Sequence, residues 1–392
     1  MKVLIISDYN SGGAGIVAKD TGKLLEKEGY DIKFYWGCDR FTFSPFRYLV
    51  NLKAKEEIYT IMDSYSPNVI MLHNFDNLLS PYILKAIKDY KSKNKNVKVI
   101  MTLHDYHMLC PSNSLSYYEK KRRKFFTSVP TYFNCVLKCL DHRSFFHSFL
   151  RVLQWTLHYK VLRNHSVIDC FLAPSKFMFS KAKEVIEVNK LNVTRNPTIV
   201  CKNTVEKKRC ENNHVSISFV GRLSEEKGIL EFVSSICSIL IDSPVNVNFN
   251  IVGDGPHLNA IKDAIKENVN KNIEFTMFGK VPKSQVDTIL ARSEFVLLPS
   301  LCYENAPLSL VEGAMHGCKI ITMNYGGMKE IAEMQPYSFL LNSFSESELQ
   351  RLLRYIDNNR NNETDNSKLI HSYSESQYVD TINDIFQRFR CE

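Results

Sequence analysis

The chain has 392 residues, of which 44% are hydrophobic and 23% are charged, a balance typical of a soluble globular protein. This length exceeds one ordinary hydrophobic core and predicts two domains of roughly 150–200 residues each. No stretch approaches the ~18–20 uninterrupted apolar residues of a membrane span, and the first residues, MKVLIISDYN, are typical of a β-strand rather than a signal peptide. The eleven cysteines are odd in number and scattered, which argues against a disulfide framework and favours a cytoplasmic protein.

Short β-branched runs alternate with helical patterns along the whole chain, which predicts parallel sheets covered by helices. We therefore expect an α/β protein of two tandem, doubly wound, Rossmann-like domains, over residues 1–196 and 197–375. The last periodic stretch, Tyr378–Phe389, predicts a terminal helix, with bounds of about 376–392. The expected strands are Lys2–Ser7, Asp31–Trp36, Asn68–His73, Val97–His104 and Ile168–Ala173 in the first domain, and Val215–Val220, Val247–Val252, Ile273–Phe278, Phe295–Pro299 and Lys319–Met323 in the second.

The segment from Lys120 to Arg163 is both basic and aromatic. Five consecutive Lys and Arg residues begin it, and residues 143–163 then combine basic side chains with Phe and Leu at helical spacing. Two interpretations stay open: a solvated loop followed by a core-facing helix, or an amphipathic segment in contact with a bilayer interface. The chain's net charge of +8 also suits a phosphorylated ligand. We expect no nucleic-acid partner, because the usual nucleic-acid-binding modules do not occur in the sequence.

Polar or glycine-rich clusters follow almost every predicted strand. Ligands of open α/β sheets bind outside the carboxyl ends of the strands, so these clusters mark one functional edge in each domain. Two such edges facing each other would form an interdomain cleft.

In the first domain, glycines introduce the first helix after the first strand. The backbone N–H groups of Gly12 and Gly13 could hold an anion at the helix N-terminus. Gly13 to Ala18 also satisfies the dinucleotide pattern G-x-G-x-x-A, with Asp39 further on, so an NAD or FAD site and a merely tight turn stay open as alternatives. His73 and His104 each end a strand, and Asp105 follows His104. An imidazole at a strand end could donate a hydrogen bond to a sugar or phosphate oxygen.

In the second domain, Gly221 and Arg222 leave the first strand, and Lys227 stands at the start of a helix. Arg222 can bind phosphate oxygens in a bidentate manner, while Lys227 supplies a point charge. Two fixed cations would stabilise the negative charge that develops on a departing diphosphate. The alternative is a solvated loop in which Lys227 pairs with Glu225 and Glu226.

Two glutamates flank a predicted helix start later in the second domain. Pro307 suits the first turn of a helix, which puts Glu304 just before the helix and Glu312 in its second turn. Each carboxylate can accept hydrogen bonds from hydroxyl groups, one from a sugar and the other from a ribose.

Together these elements resemble family 4 of the retaining glycosyltransferases, which have the GT-B fold. The resemblance covers nearly the whole chain, and the ordered set of motifs is specific although no single motif is. The matching elements are Gly12 to Gly15, Thr102 to Asp105, Gly221 to Gly228, Val252 to Pro256, Glu304 to Glu312, and Gly326-Gly327 with Glu330.

The resemblance implies a metal-independent, cofactor-free enzyme that transfers a sugar, with retention of configuration, from a UDP- or GDP-linked donor to a glycan or lipid-linked glycan in cell-surface polysaccharide synthesis. By analogy Arg222 and Lys227 grip the diphosphate, Glu312 the ribose and Glu304 the transferred sugar, with His104 beside that sugar. It also implies that the C-terminal helix packs back on the first domain. The remaining residues implied for donor binding are Gly13, Gly221, Gly253, Asp254, Val281, Asn305, Ala306, Pro307 and Leu308, and those implied for the acceptor side are Gly12, His73 and Asp105.

Two departures from the family pattern stand out. Asn305-Ala306 replaces the glycine-containing turn common after the first glutamate, which bears on sugar choice. Cys135, Cys139 and His142, with Cys110 upstream, could bind zinc or could be buried and loop thiols, and the irregular spacing favours the thiols. A non-catalytic nucleotide-sugar-binding subunit and an NAD-dependent oxidoreductase are the alternative functions.

Overall fold

A computed structural model describes residues 1–120, 122–199, 214–240 and 245–391. The chain divides into two compact units. The first comprises Met1–Pro197 together with Glu375–Glu392, and the second comprises Thr198–Ser374. Most of the segment predicted to separate the domains, residues 200–213, lies outside the described residues.

The first unit is built on a six-stranded parallel sheet with the order β2-β1-β3-β4-β7-β8, accompanied by a separate antiparallel hairpin, β5-β6. Val3 to Ile6 of the first strand are fully buried, as befits a parallel sheet covered on both faces. The strands are β1 Lys2–Ser7, β2 Asp31–Trp36, β3 Val69–Leu72, β4 Lys98–Thr102, β5 Ser116–Glu119, β6 Arg122–Phe125, β7 Cys170–Ala173 and β8 Leu191–Val193.

Seven α-helices of the first unit connect these strands, along with short 3-10 turns and a π-helical stretch, Thr156–Val161, that directly continues the sixth helix. The side chain of Ser144 accepts a hydrogen bond from the backbone N–H of His147 and so caps that sixth helix. The helices are α1 Gly12–Lys27, α2 Pro45–Leu49, α3 Leu52–Tyr65, α4 Ile83–Lys93, α5 Tyr132–Val136, α6 Phe145–Trp155 and α7 Lys176–Ala182.

The second unit has a six-stranded parallel sheet with the order β11-β10-β9-β12-β13-β14, which is the order 3-2-1-4-5-6 of nucleotide-binding Rossmann folds. Its strands are β9 His214–Val220, β10 Asn246–Val252, β11 Ile273–Gly279, β12 Phe295–Leu298, β13 Lys319–Met323 and β14 Ser338–Leu341. Its helices are α8 Ile229–Ser238, α9 Leu258–Lys266, α10 Lys283–Ala291, α11 Leu308–Met315, α12 Gly326–Ala332, α13 Glu346–Asn359 and α14 Ser367–Ser372.

The C-terminal helix, α15 Glu375–Cys391, belongs to the first unit and packs beside α1. The hydroxyl of Tyr378 lies 2.8 Å from that of Thr21, and Tyr30 donates a hydrogen bond of 2.7 Å to Asn383. The ring of Phe386 meets Tyr30 edge to face. Polar and aromatic contacts therefore hold the last helix on the domain in which the chain begins.

The two doubly wound parallel sheets predicted from the sequence are confirmed, and all ten expected strands are present within one or two residues of their predicted ends. Each sheet also has a short sixth strand, β8 or β14, that the sequence did not predict. Of the two interpretations left open for the basic segment, the one that began with a solvated loop is corrected at the basic run, since Arg122–Phe125 form one strand of the hairpin. No helix in the described parts of the chain is both long and apolar enough to cross a membrane.

Candidate active site

The strand order of the second sheet reverses at β9, which lies between β10 and β12. Connections on the two sides of such a point leave the sheet in opposite directions and open a crevice at the carboxyl ends of the strands. Arg222 and Lys227 follow β9, Asp254 follows β10 and Glu304 follows β12. The sheet topology therefore gathers the predicted donor-binding residues of this unit at one edge.

Two glycines join the loops that follow β9 and β10. Gly253 has φ of +139°, a conformation that side chains rarely adopt, and a Cβ atom there would lie 1.8 Å from the backbone oxygen of Gly221. The N–H of Leu223 donates to the backbone oxygen of Asp254 at 3.0 Å, and Gly255 also packs against Leu223. The edge of the sheet is thus lined by backbone in close mutual contact, which only glycine permits.

The loop after β9 is also fastened to the end of β12. The backbone oxygen of Glu226 accepts a hydrogen bond from the Leu301 N–H at 2.9 Å and lies 2.7 Å from the Ser300 hydroxyl. Gly228, with φ of +64°, lies so close to Pro299 that a Cβ atom would approach its backbone oxygen to 2.1 Å. These contacts hold the loop that contains Lys227 beside the residues that follow β12.

Lys227 and Glu304 form an ion pair at this point. Nζ of Lys227 donates to Oε1 of Glu304 at 2.6 Å, and the Ser300 hydroxyl donates to the same oxygen at 2.8 Å. Their side chains are only 25% and 15% exposed. The ion pair replaces the alternative in which Lys227 pairs with its sequence neighbours Glu225 and Glu226.

Both members of the pair are held in their charged forms. Burial alone would raise the pKa of Glu304, but Lys227, Ser300 and Cys302 outweigh it and lower that pKa. Burial alone would lower the pKa of Lys227, but the attraction of Glu304 raises it. The site therefore presents a fixed cation and a fixed carboxylate side by side.

The backbone that carries Glu304 rests on the start of α12. Tyr325 donates through its hydroxyl to the backbone oxygen of Ser300 at 2.7 Å, and the Gly327 N–H donates to the backbone oxygen of Glu304 at 2.7 Å. A Cβ atom on Gly327 would lie 1.6 Å from the oxygen of Asn305. Sequence reasoning gave Ser300 and Tyr325 no individual role, although both were in strand-end clusters.

Glu312 lies in the second turn of α11, and Pro307 is the cap residue before that helix. Oε1 of Glu312 accepts from Nζ of Lys283 at 2.6 Å, and Lys283 also lies 3.3 Å from Asp287. Glu312 thus has a different partner from Glu304. The sequence carried no signal for Lys283 as that partner, because nothing in its spacing links α10 to α11.

The other predicted donor-binding residues differ in exposure. Arg222 and Asp254 are exposed, and no ion pair joins Arg222 to another residue in the described ranges. Asn305 and Pro307 are buried, while Ala306, Leu308 and Val281 are half-buried. Arg222 is therefore the accessible cation at the edge where Lys227 is the paired one.

In the first unit the predicted glycines stand at the N-terminus of α1. Gly12 has φ of +71°, and it and Gly13 are exposed with open space where a Cβ atom would be. Gly15 is buried, and a Cβ atom there would lie 2.7 Å from the oxygen of Tyr9. Gly15 has a packing role, while Gly12 and Gly13 leave the helix start accessible.

His73 and His104 meet at the carboxyl ends of β3 and β4. Nδ1 of His73 lies 2.7 Å from Nε2 of His104, and the two rings stack with centroids 5.0 Å apart. Burial and the neighbouring imidazole lower the pKa of His73 well below its usual range, and burial lowers the pKa of His104 to about 4. Both rings are therefore neutral at pH 7, so one ring nitrogen donates and the other accepts the hydrogen bond between them.

Three carboxyl groups lie at the same edge of the first sheet. Asp8 is fully buried and accepts from the backbone N–H groups of residues 77–79, while Asp105 accepts from the His107 N–H at 2.9 Å. Burial, reinforced by the nearby Asp76, raises the pKa of both Asp8 and Asp105 to about 8. Sequence reasoning selected Asp105 but missed Asp8 and Asp76, whose importance follows only from their burial.

The cysteines considered as zinc ligands are free thiols. Cys110 and Cys135 are buried, and burial and the Cys135 thiol raise the pKa of Cys110. Cys139 lies 3.4 Å from the Ser148 hydroxyl. Within the described ranges, no three His, Cys, Asp or Glu side chains come together as a metal site would require.

The second unit matches a known family. Residues 214–358, which lie in this unit, match the model described as Glycosyl transferases group 1. The chain is 34% identical over 116 residues to 2-deoxystreptamine N-acetyl-D-glucosaminyltransferase of Niallia circulans, a match that covers 30% of this chain and 29% of that protein. It is 22% identical over 316 residues to an uncharacterized 42.6 kDa protein in the cps region of Klebsiella pneumoniae, covering 78% and 72% of the two chains. The first of these matches thus spans less than a third of the relative's length.

Solved structures extend the similarity to the whole chain. HepE from Anabaena, in complex with UDP and glucose, superposes with a TM-score of 0.63 over 99% of this chain and 100% of that chain, at 14% identity. The lipopolysaccharide outer core galactosyltransferase WaaB, in its apo form, superposes with a TM-score of 0.66 over the same shares, also at 14% identity. The predicted fold class, two Rossmann-like domains of the GT-B type, is confirmed.

Proposed function

We propose that this protein is a retaining glycosyltransferase of family 4 that transfers a sugar from a UDP-linked donor, with a GDP-linked donor as the alternative. The observation that carries the proposal is the Lys227–Glu304 ion pair, with Ser300, at the strand-order reversal of the second sheet. Ligands of doubly wound folds bind at this point, and the pair offers both a cation and a hydroxyl acceptor.

The charges at this edge suit a nucleoside diphosphate leaving group. When the bond between sugar and phosphate breaks, negative charge accumulates on the diphosphate, and Lys227 and the exposed Arg222 are placed to stabilise it. The glycine-lined backbone at Gly221 and Gly253 allows a phosphate or base to approach without meeting a side chain. In this proposal these protein groups support the transfer, and no metal or cofactor is required.

The two glutamates have separate roles in the proposal. Glu304, next to Lys227, accepts hydrogen bonds from hydroxyls of the transferred sugar. Glu312, one turn into α11, accepts from the ribose hydroxyls, and Lys283 orients its carboxylate. The buried turn at Asn305 and Pro307 fixes the backbone between them, with Asp254, Val281, Ala306 and Leu308 completing the donor surroundings.

We further propose that the acceptor is a growing glycan or lipid-linked glycan in cell-surface polysaccharide synthesis, and that the protein acts in the cytoplasm. Support comes from relatives whose names refer to a cps region and to the lipopolysaccharide outer core. In the first unit, Gly12, His73 and Asp105 form the acceptor side, with Gly13 at an exposed helix start. The neutral His73–His104 pair can hydrogen-bond a hydroxyl without attracting counterions.

A panel of sugar nucleotides tests the donor. We expect one UDP-sugar to raise the melting temperature and to release UDP when an acceptor glycan is supplied, because a ligand that binds only the folded state stabilises it. Glu304→Ala and Lys227→Ala should each abolish release, whereas Lys266→Ala, which breaks an exposed ion pair on α9, should not. The anomeric configuration of the product, read by NMR, tests retention.

Two outcomes would contradict the proposal. Turnover at the wild-type rate in either the Glu304 or the Lys227 variant would remove the site from the reaction. A sugar nucleotide that binds tightly yet is never turned over with any glycan acceptor would favour a non-catalytic subunit instead.

A further inference from the structure

Helix α6 turns an apolar stripe toward solvent. Phe146, Phe149 and Leu153 are exposed and recur at the spacing that places side chains on one face of a helix. The opposite face is fixed by polar contacts: Gln154 is fully buried and donates to the backbone oxygen of Asp76 at 2.8 Å, and the Ser148 hydroxyl accepts from the Leu140 N–H at 2.9 Å. Leu150 and Trp155 of the same helix are buried, so apolar side chains lie on both the inner and the outer side of α6, whereas a surface helix normally exposes a polar face.

Helix α5 and the residue after it extend this stripe. Phe133 and Leu137 are 75% and 78% exposed, and Val136 is exposed between them. We call the six side chains on the two helices the α5–α6 patch. It comprises Phe133, Val136, Leu137, Phe146, Phe149 and Leu153.

An apolar groove of about 320 Å³ joins the two halves of the α5–α6 patch. Val136 lines it from the α5 side, and Phe149 and Leu153 line it from the α6 side, with Lys138 at the border. The groove joins Val136 on α5 to Phe149 and Leu153 on α6 and leaves a recess between the two helices for a few methylene groups. Isolated apolar side chains on a surface are ordinary, but a continuous patch of this kind marks an interaction site.

The charge around the α5–α6 patch identifies the partner. Residues 120–163 contain ten Lys and Arg residues and one acidic residue, Asp141, giving a net charge of +9, while the rest of the chain carries −1. Asp141 is itself paired with Arg143 and Arg151, at 2.8 and 2.9 Å. The positive charge of the protein is therefore concentrated in the segment that carries the patch.

The basic hairpin β5–β6, whose second strand belongs to this segment, contacts the residues that follow α5. The Tyr118 N–H on β5 donates to the backbone oxygen of Cys139 at 2.6 Å, and Nζ of Lys138 lies 4.6 Å from the centre of the Tyr117 ring. Arg122 and Lys124, on β6, are exposed. Cations therefore accompany the apolar surface, as in segments that bind a bilayer by two signals at once.

We propose that the α5–α6 patch docks on an anionic lipid bilayer, with its phenylalanine and leucine side chains at the boundary of headgroups and acyl chains. The basic residues of the hairpin contact the lipid phosphates, since the surface of an anionic leaflet attracts Lys and Arg within a Debye length. A protein partner with a neutral apolar surface would not need the concentration of positive charge. The docking does not depend on the transfer reaction proposed above.

Vesicle binding by the full chain tests this proposal. We expect the protein to sediment with phosphatidylcholine vesicles that contain about a third phosphatidylglycerol, at least about tenfold more strongly than with pure phosphatidylcholine, and to be released as salt rises from about 0.1 to 0.5 M. Replacing Phe133, Phe146 and Phe149 together with Ser should weaken binding by about tenfold or more. The matched control replaces three exposed valines outside the segment, Val185, Val188 and Val269, with Ser and should bind like wild type.

A second variant keeps the test decisive if the triple Phe variant fails to fold. Arg122→Glu combined with Lys124→Glu changes two exposed side chains, also breaks the exposed ion pair of Lys124 with Glu119 on β5, and should abolish the preference for phosphatidylglycerol. The proposal is overturned if the wild-type chain does not bind anionic vesicles, or if both variants bind as wild type does. Self-association of the wild type that the Phe variant abolishes, without vesicle binding, would identify an interface between copies of this chain and would also overturn it.

Discussion

Replacing Glu304 with Gln removes one charge of the Lys227–Glu304 pair while keeping the length and shape of the side chain. Lys227→Met does the same for the cation. Each single variant leaves the remaining partner of the pair without its countercharge in a site where the side chains are 25% and 15% exposed. The double variant removes both charges, so the three variants together isolate the interaction from the individual side chains.

The burial of the ion pair determines how much unfolding free energy each variant should lose. Breaking a fully buried pair costs about 3–5 kcal/mol, whereas an exposed pair contributes about 0–1 kcal/mol. Because the Lys227–Glu304 pair is mostly but not fully buried and Ser300 also donates to it, we expect each single variant to lose about 2 kcal/mol. We expect the double variant to lose no more than either single one, which corresponds to a coupling free energy of about 2 kcal/mol, or roughly 30-fold in the equilibrium constant.

The pKa shifts of Lys227 and Glu304 predict the pH range in which their coupling free energy is constant. The pKa of Glu304 is lowered in the folded protein, so its stabilisation is present above the unfolded value of about 4.3 and is lost as the pH falls through the folded pKa. The pKa of Lys227 is raised, so its stabilisation is present below the unfolded value of about 10.4 and is lost as the pH rises through the folded pKa. The coupling should therefore be constant from about pH 5 to pH 10.

Hydrogen exchange in urea, measured by mass spectrometry on peptides that contain β9 and β12, reports the unfolding free energy of the second unit separately from that of the first. Tryptophan fluorescence cannot serve for it, because both tryptophans, Trp36 and Trp155, belong to the first unit. The matched control is the cycle Asp263→Asn with Lys266→Met on α9, a pair 2.8 Å apart but 68% and 75% exposed, whose coupling should be too small to measure. Equal coupling in the two cycles would refute the argument from burial.

Four further substitutions have defined outcomes. Gly253→Ala should destabilise the second unit by about 3 kcal/mol or more in urea unfolding. The reason is that φ is +139° and that the new Cβ atom would lie 1.8 Å from the backbone oxygen of Gly221. A loss below about 1 kcal/mol would contradict this prediction. Burial and a neighbouring carboxylate raise the pKa of Asp105 to about 8, so the folded state binds more protons than the unfolded state between about pH 4 and pH 8, and stability falls with rising pH in that range. Asp105→Asn should flatten that slope in tryptophan-monitored unfolding, and an unchanged slope would assign it to other groups. On the proposed function, Glu312→Gln should raise KM for the UDP-sugar about tenfold with kcat nearly unchanged, because a ribose-binding group binds the ground and transition states equally. Lys283→Met should raise KM by a smaller factor. A fall in kcat alone would exclude the ribose role of Glu312.

The fold was largely predictable because its signal is local. Buried parallel strands such as Lys2–Ser7 are continuous apolar runs, and glycines and polar residues mark their ends. The missed strands are short: β8 has three residues and β14 has four, and neither contrasts with its surroundings. The hairpin strand in the basic run was also missed, since cross-strand pairing rather than composition makes these residues part of a hairpin.

The sequence predicted which residues belong to the site but not which of them form ion pairs with each other. The sequence identified Lys227 and Glu304 as separate members of one edge, yet their ion pair spans 77 positions and depends on β9 and β12 being neighbours. Strand adjacency in a parallel sheet is set by the crossover connections, which no local pattern records. Gly253 shows the same limit, because its need for glycine comes from the backbone of Gly221 in a different loop.

The two sheet edges differ in charge, and this difference bears on which unit binds the proposed donor and which binds the acceptor. The edge of the second unit has glycine-lined backbone, the exposed Arg222 and the charged Lys227–Glu304 pair, which suit a ligand with fixed negative charge. The edge of the first unit has two neutral histidines and the carboxyl groups of Asp8 and Asp105, whose pKa values are raised by burial, and these groups offer no countercharge to an anion. Neutral hydrogen-bonding groups suit hydroxyls, whose orientation matters more than their charge. The electrostatics of each edge, considered separately, therefore support placing the nucleotide in the second unit and the acceptor hydroxyl in the first.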